Sequence, residues 1–358
     1  MHPGGAAAAP PEYRNLTIIS DRVPFRQGVA LQPQSLQAGL EAIPPQLAVL
    51  DLSPLKRGPV AVVGVGASLY AAMAGAAQMR SQGLRAFALP ATDLYDPAVD
   101  AADAYIALSA PGRSVEPARA MELRPDAVTF GIARVAASPL AAVVRHMIAT
   151  ASAAESSPNT TSFAGSLLAL GLIADRAGGR PSGAAWDRLP DAAAAVLEMC
   201  RPAVVRAAAL LAERVTLDCV GVGVARGVAG YASLLFREAV RVAAQPWDTL
   251  NFLHGPMEPN DRTSGVLLLG SGREVTLAAD LAGFGIAAVL VTDRADVVET
   301  GNLALIRLPP LPPGLAGGIL QALPVQLLVA ELMEAAGLPE CVFRYRQSGT
   351  KLPESAAR

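Results

Sequence analysis

The chain has 358 residues, of which 52% are hydrophobic, 17% charged and only 4% aromatic, with a formal net charge of −2. That length accommodates about two domains with ample core, and the near-neutral balance gives no electrostatic reason to expect nucleic acid or an anionic membrane as partner. Mean hydropathy is +0.36, but the longest apolar stretches meet Pro, Gln or Glu before a clean run of ~20 residues, so no transmembrane helix is expected.

In chain order, "MHPGGAAAAPPEYR" lacks the charged and apolar regions of a secretory signal and reads as a tail. Residues 1–50 as a whole read as this tail followed by a Pro- and Gln-containing arm. "VAVVGVGAS" (60–68) is an apolar strand, a Gly-x-Gly turn and the start of a helix. "AYIAL" (104–108) is a further strand, and "SAPGRSVEP" (109–117) leads from it into a helix. That turn has two readings. It is an ordinary strand-to-helix turn with Ser114 as N-cap, or its hydroxyls, its cation and the free N–H groups of a helix start hold an anion, most often a phosphate. "ESSPNTTSF" (155–163) places Asn159, Thr160 and Thr161 before another helix, as a cap or as a polar lining. "GGRPSGAAWDRLP" (178–190) has the composition of a linker.

Beyond the linker the chain repeats itself. "LDCVGVGVA" (217–225) echoes 60–68, "SGREVTLA" (271–278) echoes "PGRSVEPA" (111–118), and "AVLVTDR" (288–294) echoes "VTFGIAR" (128–134). The markers keep one order and a nearly constant interval, which predicts two tandem copies of one unit. Each copy alternates short Val/Ile/Leu strands with Ala/Leu-rich helices, the pattern of a doubly wound α/β fold with a parallel sheet covered on both faces. The expected boundaries are 51–180 for the first unit, 181–335 for the second and 336–358 for a C-terminal tail or loop. Ligands of such sheets sit at the C-terminal strand ends. A dinucleotide is not expected, because Leu69 replaces the third glycine of the fingerprint, and no Gly-Lys-Ser/Thr exists for a nucleotide phosphate loop. Cys200, Cys219 and Cys341 are odd in number and lack CxxC spacing, which fits a reducing cytoplasm and no metal site. No cofactor is implied.

The duplicated unit, "GVGAS" and strand–"SAPGRSVE"–helix resemble the SIS (sugar isomerase) phosphosugar-binding domain. The tandem arrangement is similar to the isomerase half of glucosamine-6-phosphate synthase and to fructosamine-phosphate deglycases, without a glutaminase domain. "LQPQSL" (31–36), "FRE" (236–238), "NFLHGP" (251–256) and "PVQLLVAELMEAAGLP" (324–339) extend the resemblance over residues 30–351. It implies a phosphate cradle of Ser109, Gly112 and Ser114, with Ser68 as a further hydroxyl and Asn159, Thr160 and Thr161 on the sugar side. The family's Gln and second Ser are replaced by Ala110 and Pro111, and Pro removes a hydroxyl and an N–H together. Arg113 is the candidate to restore that contact.

The resemblance also implies chemistry. His254 is the candidate ring opener, Glu238 the base that moves a proton between C1 and C2, and Lys351 a Schiff-base lysine on a C-terminal loop. From the residues alone Glu238 is equally an exposed helix carboxylate paired with Arg237 or Arg241, and Lys351 a solvated tail lysine. The expected function is a sugar-phosphate isomerase, or an amino-sugar phosphate isomerase or deaminase, working as a homodimer whose site takes a His from the neighbouring subunit. The alternatives are a non-catalytic phosphosugar-binding regulator and an enzyme of this fold with other chemistry.

Overall fold

The computed structural model describes residues 23–180, 183–338, 340, 343–345 and 347–353. The N-terminal arm is helical. Helix α1 (Phe25–Ala30) leads into α2 (Gln32–Ala48), and Pro33 is tolerated because it falls in the first turn. Leu36, Leu40, Ile43 and Leu47 recur at helical spacing and turn one face inward, with Leu36, Ile43 and Leu47 buried. The arm is thus part of the core, packed on later helices, and α3 (Pro54–Arg57) joins it to the first sheet.

That sheet consists of β1 (Val60–Gly64), β2 (Ala86–Pro90), β3 (Ala104–Leu108), β4 (Val128–Ala133) and β5 (His146–Ala149), all parallel, in the order β2-β1-β3-β4-β5. Helices α4 (Ala67–Ser81), α5 (Val115–Glu122) and α6 (Thr161–Gly178) accompany it. After α7 (Ala184–Asp187), α8 (Leu189–Met199) and α9 (Arg201–Leu211) comes the second copy. It contains β6 (Thr216–Gly221), α10 (Val224–Leu235), β7 (Ala243–Asp248), α11 (Thr249–Phe252), β8 (Ser264–Leu269), α12 (Arg273–Gly283), β9 (Ala287–Thr292), β10 (Leu303–Arg307) and α13 (Leu315–Ala335). Its sheet order, β10-β9-β8-β6-β7, is the first order read from the other edge. The repeat seen in the sequence is therefore a repeat of topology. In both sheets the strand order changes sense between the first and third strands, where such folds place ligands. The linker region contains α7 and the start of α8; residues 181 and 182 lie outside the described residues.

β1, β3, β8 and β9 are buried at every position, as their unbroken apolar runs require. One large apolar cluster joins the two copies through α2, α4, α6, α10 and α13, while two smaller clusters cover the outer sheet faces. α4 and α10 pack tightly against each other because Gly227 and Gly230 of α10 face Tyr70 and Ala74 of α4. By length and composition α13 could cross a bilayer, although Gln321, Pro324 and Glu331 interrupt it; here it is almost entirely buried against α6, α8, α9 and α10.

Polar groups inside this layer are organised. Tyr231 donates to the Asn159 carbonyl at 2.7 Å and accepts from Gln326 Nε2 at 3.0 Å, and Gln32 Nε2 donates to Gln326 Oε1 at 2.9 Å. The Tyr231 ring stacks on Phe163 at 3.7 Å between centroids. Residues from four helices thereby fix the backbone at Asn159 from behind.

Candidate functional site

Each Gly-x-Gly turn ends its strand and opens a helix, with Gly66 at φ +58° and Gly223 at φ +61°. The turn after β3 is tighter. Gly112 has φ +66°, and a Cβ there would stand 2.3 Å from Cβ of Ser138, so glycine is required on both counts. The Ser114 N–H donates to Ser109 Oγ at 3.1 Å. Ser114 stands at the N-cap position of α5, yet its hydroxyl makes no capping bond; it accepts from Lys351 Nζ at 2.8 Å. The simple cap reading is thereby displaced by a contact from the far end of the chain.

The C-terminal segment lies across this turn. Ser114 and Lys351 form an antiparallel bridge, flanked by Leu352 N–H to Arg113 carbonyl at 2.7 Å and Val115 N–H to Thr350 carbonyl at 3.3 Å. Arg113 donates from Nε to the Leu352 carbonyl at 2.8 Å. Its guanidinium therefore clamps the tail, a role the sequence expectation of phosphate contact did not include. Burial holds the Lys351 ammonium below its usual range and Arg113 adds to this, against the opposing fields of Glu116 and Glu238.

Glu238 sits in a π-helical turn, Phe236–Val240, that continues α10, and Arg241 closes the turn at φ +65°. Such turns recur at functional sites because the extra residue re-aims a side chain. The carboxyl is half-buried, not the exposed helix carboxylate that the residues alone allowed. Burial raises its pKa to about 7, with Lys351 acting against the shift. Glu238 and Lys351 thus influence one another electrostatically, and Lys351 touches Ser114.

Asn159, Thr160 and Thr161 gather around a carboxylate that the sequence reading passed over. Glu155 accepts from Asn159 Nδ2 at 2.6 Å, from the Thr160 N–H at 2.7 Å and from the Ser162 N–H at 3.0 Å, capping α6. Thr161 is fully buried and donates to the Ala153 carbonyl at 2.8 Å, and the buried Thr160 hydroxyl packs toward Gly28. Of these three only Asn159 borders open space, with Ser68, Ala110 and Ser162. That space is about 10 Å³, no more than one water molecule, so a sugar enters there only if the walls move apart. His254 is exposed on the turn after α11, its N–H bonded to the Asn251 carbonyl at 3.0 Å. It is not gathered with the other candidates.

The echo of the phosphate turn in the second copy is not a cradle. Ser271 donates to Asp293, Glu274 Oε2 accepts from the Gly272 N–H at 3.3 Å, and Thr249 donates to Glu274 Oε1 at 2.5 Å. The two carboxylates occupy the place an anion would take. Among the described residues, no group of three or more His, Cys, Asp or Glu could hold a metal.

No protein-family model matches the chain, and no curated protein matches it. Solved structures do. The C-terminal domain of glucosamine-fructose-6-phosphate aminotransferase from Francisella tularensis superposes with a TM-score of 0.77 at 14% identity, covering 88% of this chain and 97% of that one. Glucosamine-6-phosphate deaminase from Thermotoga maritima gives 0.72 at 18% identity, covering 88% and 95%. Tagatose-6-phosphate ketose/aldose isomerase from Escherichia coli gives 0.69 at 20%, covering 87% and 92%. The two tandem units are the fold of the SIS-domain phosphosugar isomerases.

Proposed function

We propose that the chain is a sugar-phosphate isomerase-type enzyme, an aldose–ketose isomerase or an amino-sugar phosphate isomerase or deaminase. The observation that carries this reading is the contact of a desolvated lysine, Lys351, with Ser114 of the Ser109–Ser114 turn, within the electrostatic field of a half-buried carboxyl of pKa about 7, Glu238. A carboxyl poised near neutral pH suits moving a proton to and from a sugar carbon. A lysine short of its usual basicity suits attack on a carbonyl. The turn offers Ser109, Ser114 and the N-terminus of α5 to the phosphate. His254, exposed and apart from the others, suits ring opening only if it comes from a second copy, so the working form in this reading is a homodimer. The names of the fold neighbours, an aminotransferase domain, a deaminase and an isomerase of sugar phosphates, agree with this substrate class.

A binding protein without turnover draws on one observation, the space of about 10 Å³ beside Ser68 and Ala110. Both readings require phosphate recognition. Fructose 6-phosphate and glucosamine 6-phosphate should each raise the melting temperature, and fructose and glucosamine at equal concentration should not. Equal shifts for the phosphorylated and free sugars would remove the cradle and both readings with it.

A further inference from the structure

Both ends of the stretch that carries His254 are tied to one carboxylate. Asp218 stands in the middle of β6, between the buried Leu217 and Cys219. By strand alternation it shares the side of Val220, which belongs to the outer apolar cluster of the second copy. A carboxylate is costly in such a place unless it is hydrogen-bonded. Both of its oxygens are engaged: Trp247 Nε1 donates to Oδ1 at 2.8 Å, and Asn260 Nδ2 donates to Oδ2 at 2.7 Å. Burial pushes its pKa up, and these two bonds act against that shift.

The two donors bracket a single segment. Trp247 lies near the end of β7, Asn260 in the turns before β8, and His254 between them. Inside the segment Phe252 is fully buried, and Leu253 and Met257 pack on the outer cluster. His254 is exposed, so the backbone of the segment sets where its imidazole stands. The start of the segment has a second hold, from Thr249 to Glu274 Oε1 at 2.5 Å. The far end is held through Asn260, whose Nδ2 also reaches the Met257 carbonyl at 3.3 Å. We propose that Asp218 is a positioning residue for ring opening: by joining Trp247 to Asn260 it fixes the backbone from which His254 reaches the sugar. The carboxylate touches no substrate and acts through the segment. This inference rests on the phosphosugar reading above and adds a residue to its machinery.

The test exchanges two side chains in the full chain. Asn260→Asp sets two carboxyls against each other and should release the segment. Asp218→Asn combined with Asn260→Asp restores the pair with its roles reversed. The amide at 218 then donates to the carboxylate at 260, and its oxygen still accepts from Trp247. Amide hydrogen exchange over residues 249–260 should be faster in Asn260→Asp by about tenfold, the worth of one hydrogen bond to a charged group. It should be unchanged over β8 and β9, and near wild type throughout in the double variant. Turnover is followed as deuterium incorporation from deuterated water into two sugars. Fructose 6-phosphate is mostly ring-closed, and 5-deoxyfructose 6-phosphate lacks the hydroxyl that closes the ring. Asn260→Asp should slow only the first, by roughly 10–10²-fold, and the double variant should recover it. Equal slowing of both sugars would mean a merely structural role and overturn this inference alone. So would a loss that the double variant does not recover, or Asn260→Asp matching wild type in both readouts. A wild type that exchanges neither sugar would overturn the phosphosugar reading and this inference together.

Discussion

Glu238→Gln should lower turnover of the sugar phosphate by about 10²–10⁴-fold, the usual contribution of a positioned general base, while ligand affinity stays near the wild-type value. Gln retains the shape and hydrogen bonds of the side chain but cannot accept a proton. In wild type, kcat/KM should rise with pH along a limb centred near 7, because the base works only when ionised. The same group leaves a signature in stability. The folded state holds its proton more tightly than the unfolded chain, with a pKa of about 7 against 4.5. Its stabilising contribution is therefore complete below the unfolded value and is lost as pH rises through about 7. The variant has no such loss. Its stability relative to wild type should grow between pH 4.5 and 8, by up to on the order of 2 kcal/mol once partial exposure is allowed for. Denaturation curves at the two pH values check this, and a pH-independent difference would show that Glu238 does not titrate in that window.

Gly227→Val should destabilise the protein by about 3 kcal/mol through overpacking. A Cβ at Gly227 would lie 2.6 Å from the Tyr70 carbonyl oxygen, 2.7 Å from Ala74 Cβ and 2.8 Å from Ala74 N. Two of those three atoms are backbone of α4, which cannot step aside as a flexible side chain would. The helix pair joins the two copies, so the urea midpoint should fall for the whole transition and not for one copy alone. Gly283→Ala is the matched control. Nothing lies within 4 Å of its Cβ position, and it should be neutral or slightly stabilising. Equal midpoints for the two variants would mean that α4 and α10 pack less tightly than described.

The duplication and the α/β class were legible because both are written locally. Strand, Gly-x-Gly and helix recur in one order, and unbroken apolar runs mark strands buried on both faces. The turn at 109–114 was legible for the same reason. What could not be read depends on residues distant in sequence. Lys351 reaches Ser114 from the other end of the chain, and that contact takes the Ser114 hydroxyl away from capping. The second copy keeps the Gly-Arg of the turn, but Glu274 within it, with Thr249 and Asp293 from elsewhere in the copy, makes an acidic filling. Glu155 precedes α6 by more than the spacing of a local cap, and only the fold of the intervening loop brings it to the helix start. The N-terminal arm reads in the sequence only as Pro- and Gln-containing; it is helical because Pro33 lies in a first turn and the apolar face of α2 outweighs Pro44 and Pro45.

The central claim is that Glu238 moves a proton on a carbon of a bound sugar phosphate. It is tested most directly by incubating the protein in deuterated water with fructose 6-phosphate, glucosamine 6-phosphate and tagatose 6-phosphate and following C1 and C2 by NMR. Wild type should incorporate deuterium at one of these carbons in at least one sugar phosphate, and Glu238→Gln should incorporate none. Binding of these sugars without exchange by wild type, or exchange undiminished in Glu238→Gln, would contradict the assignment.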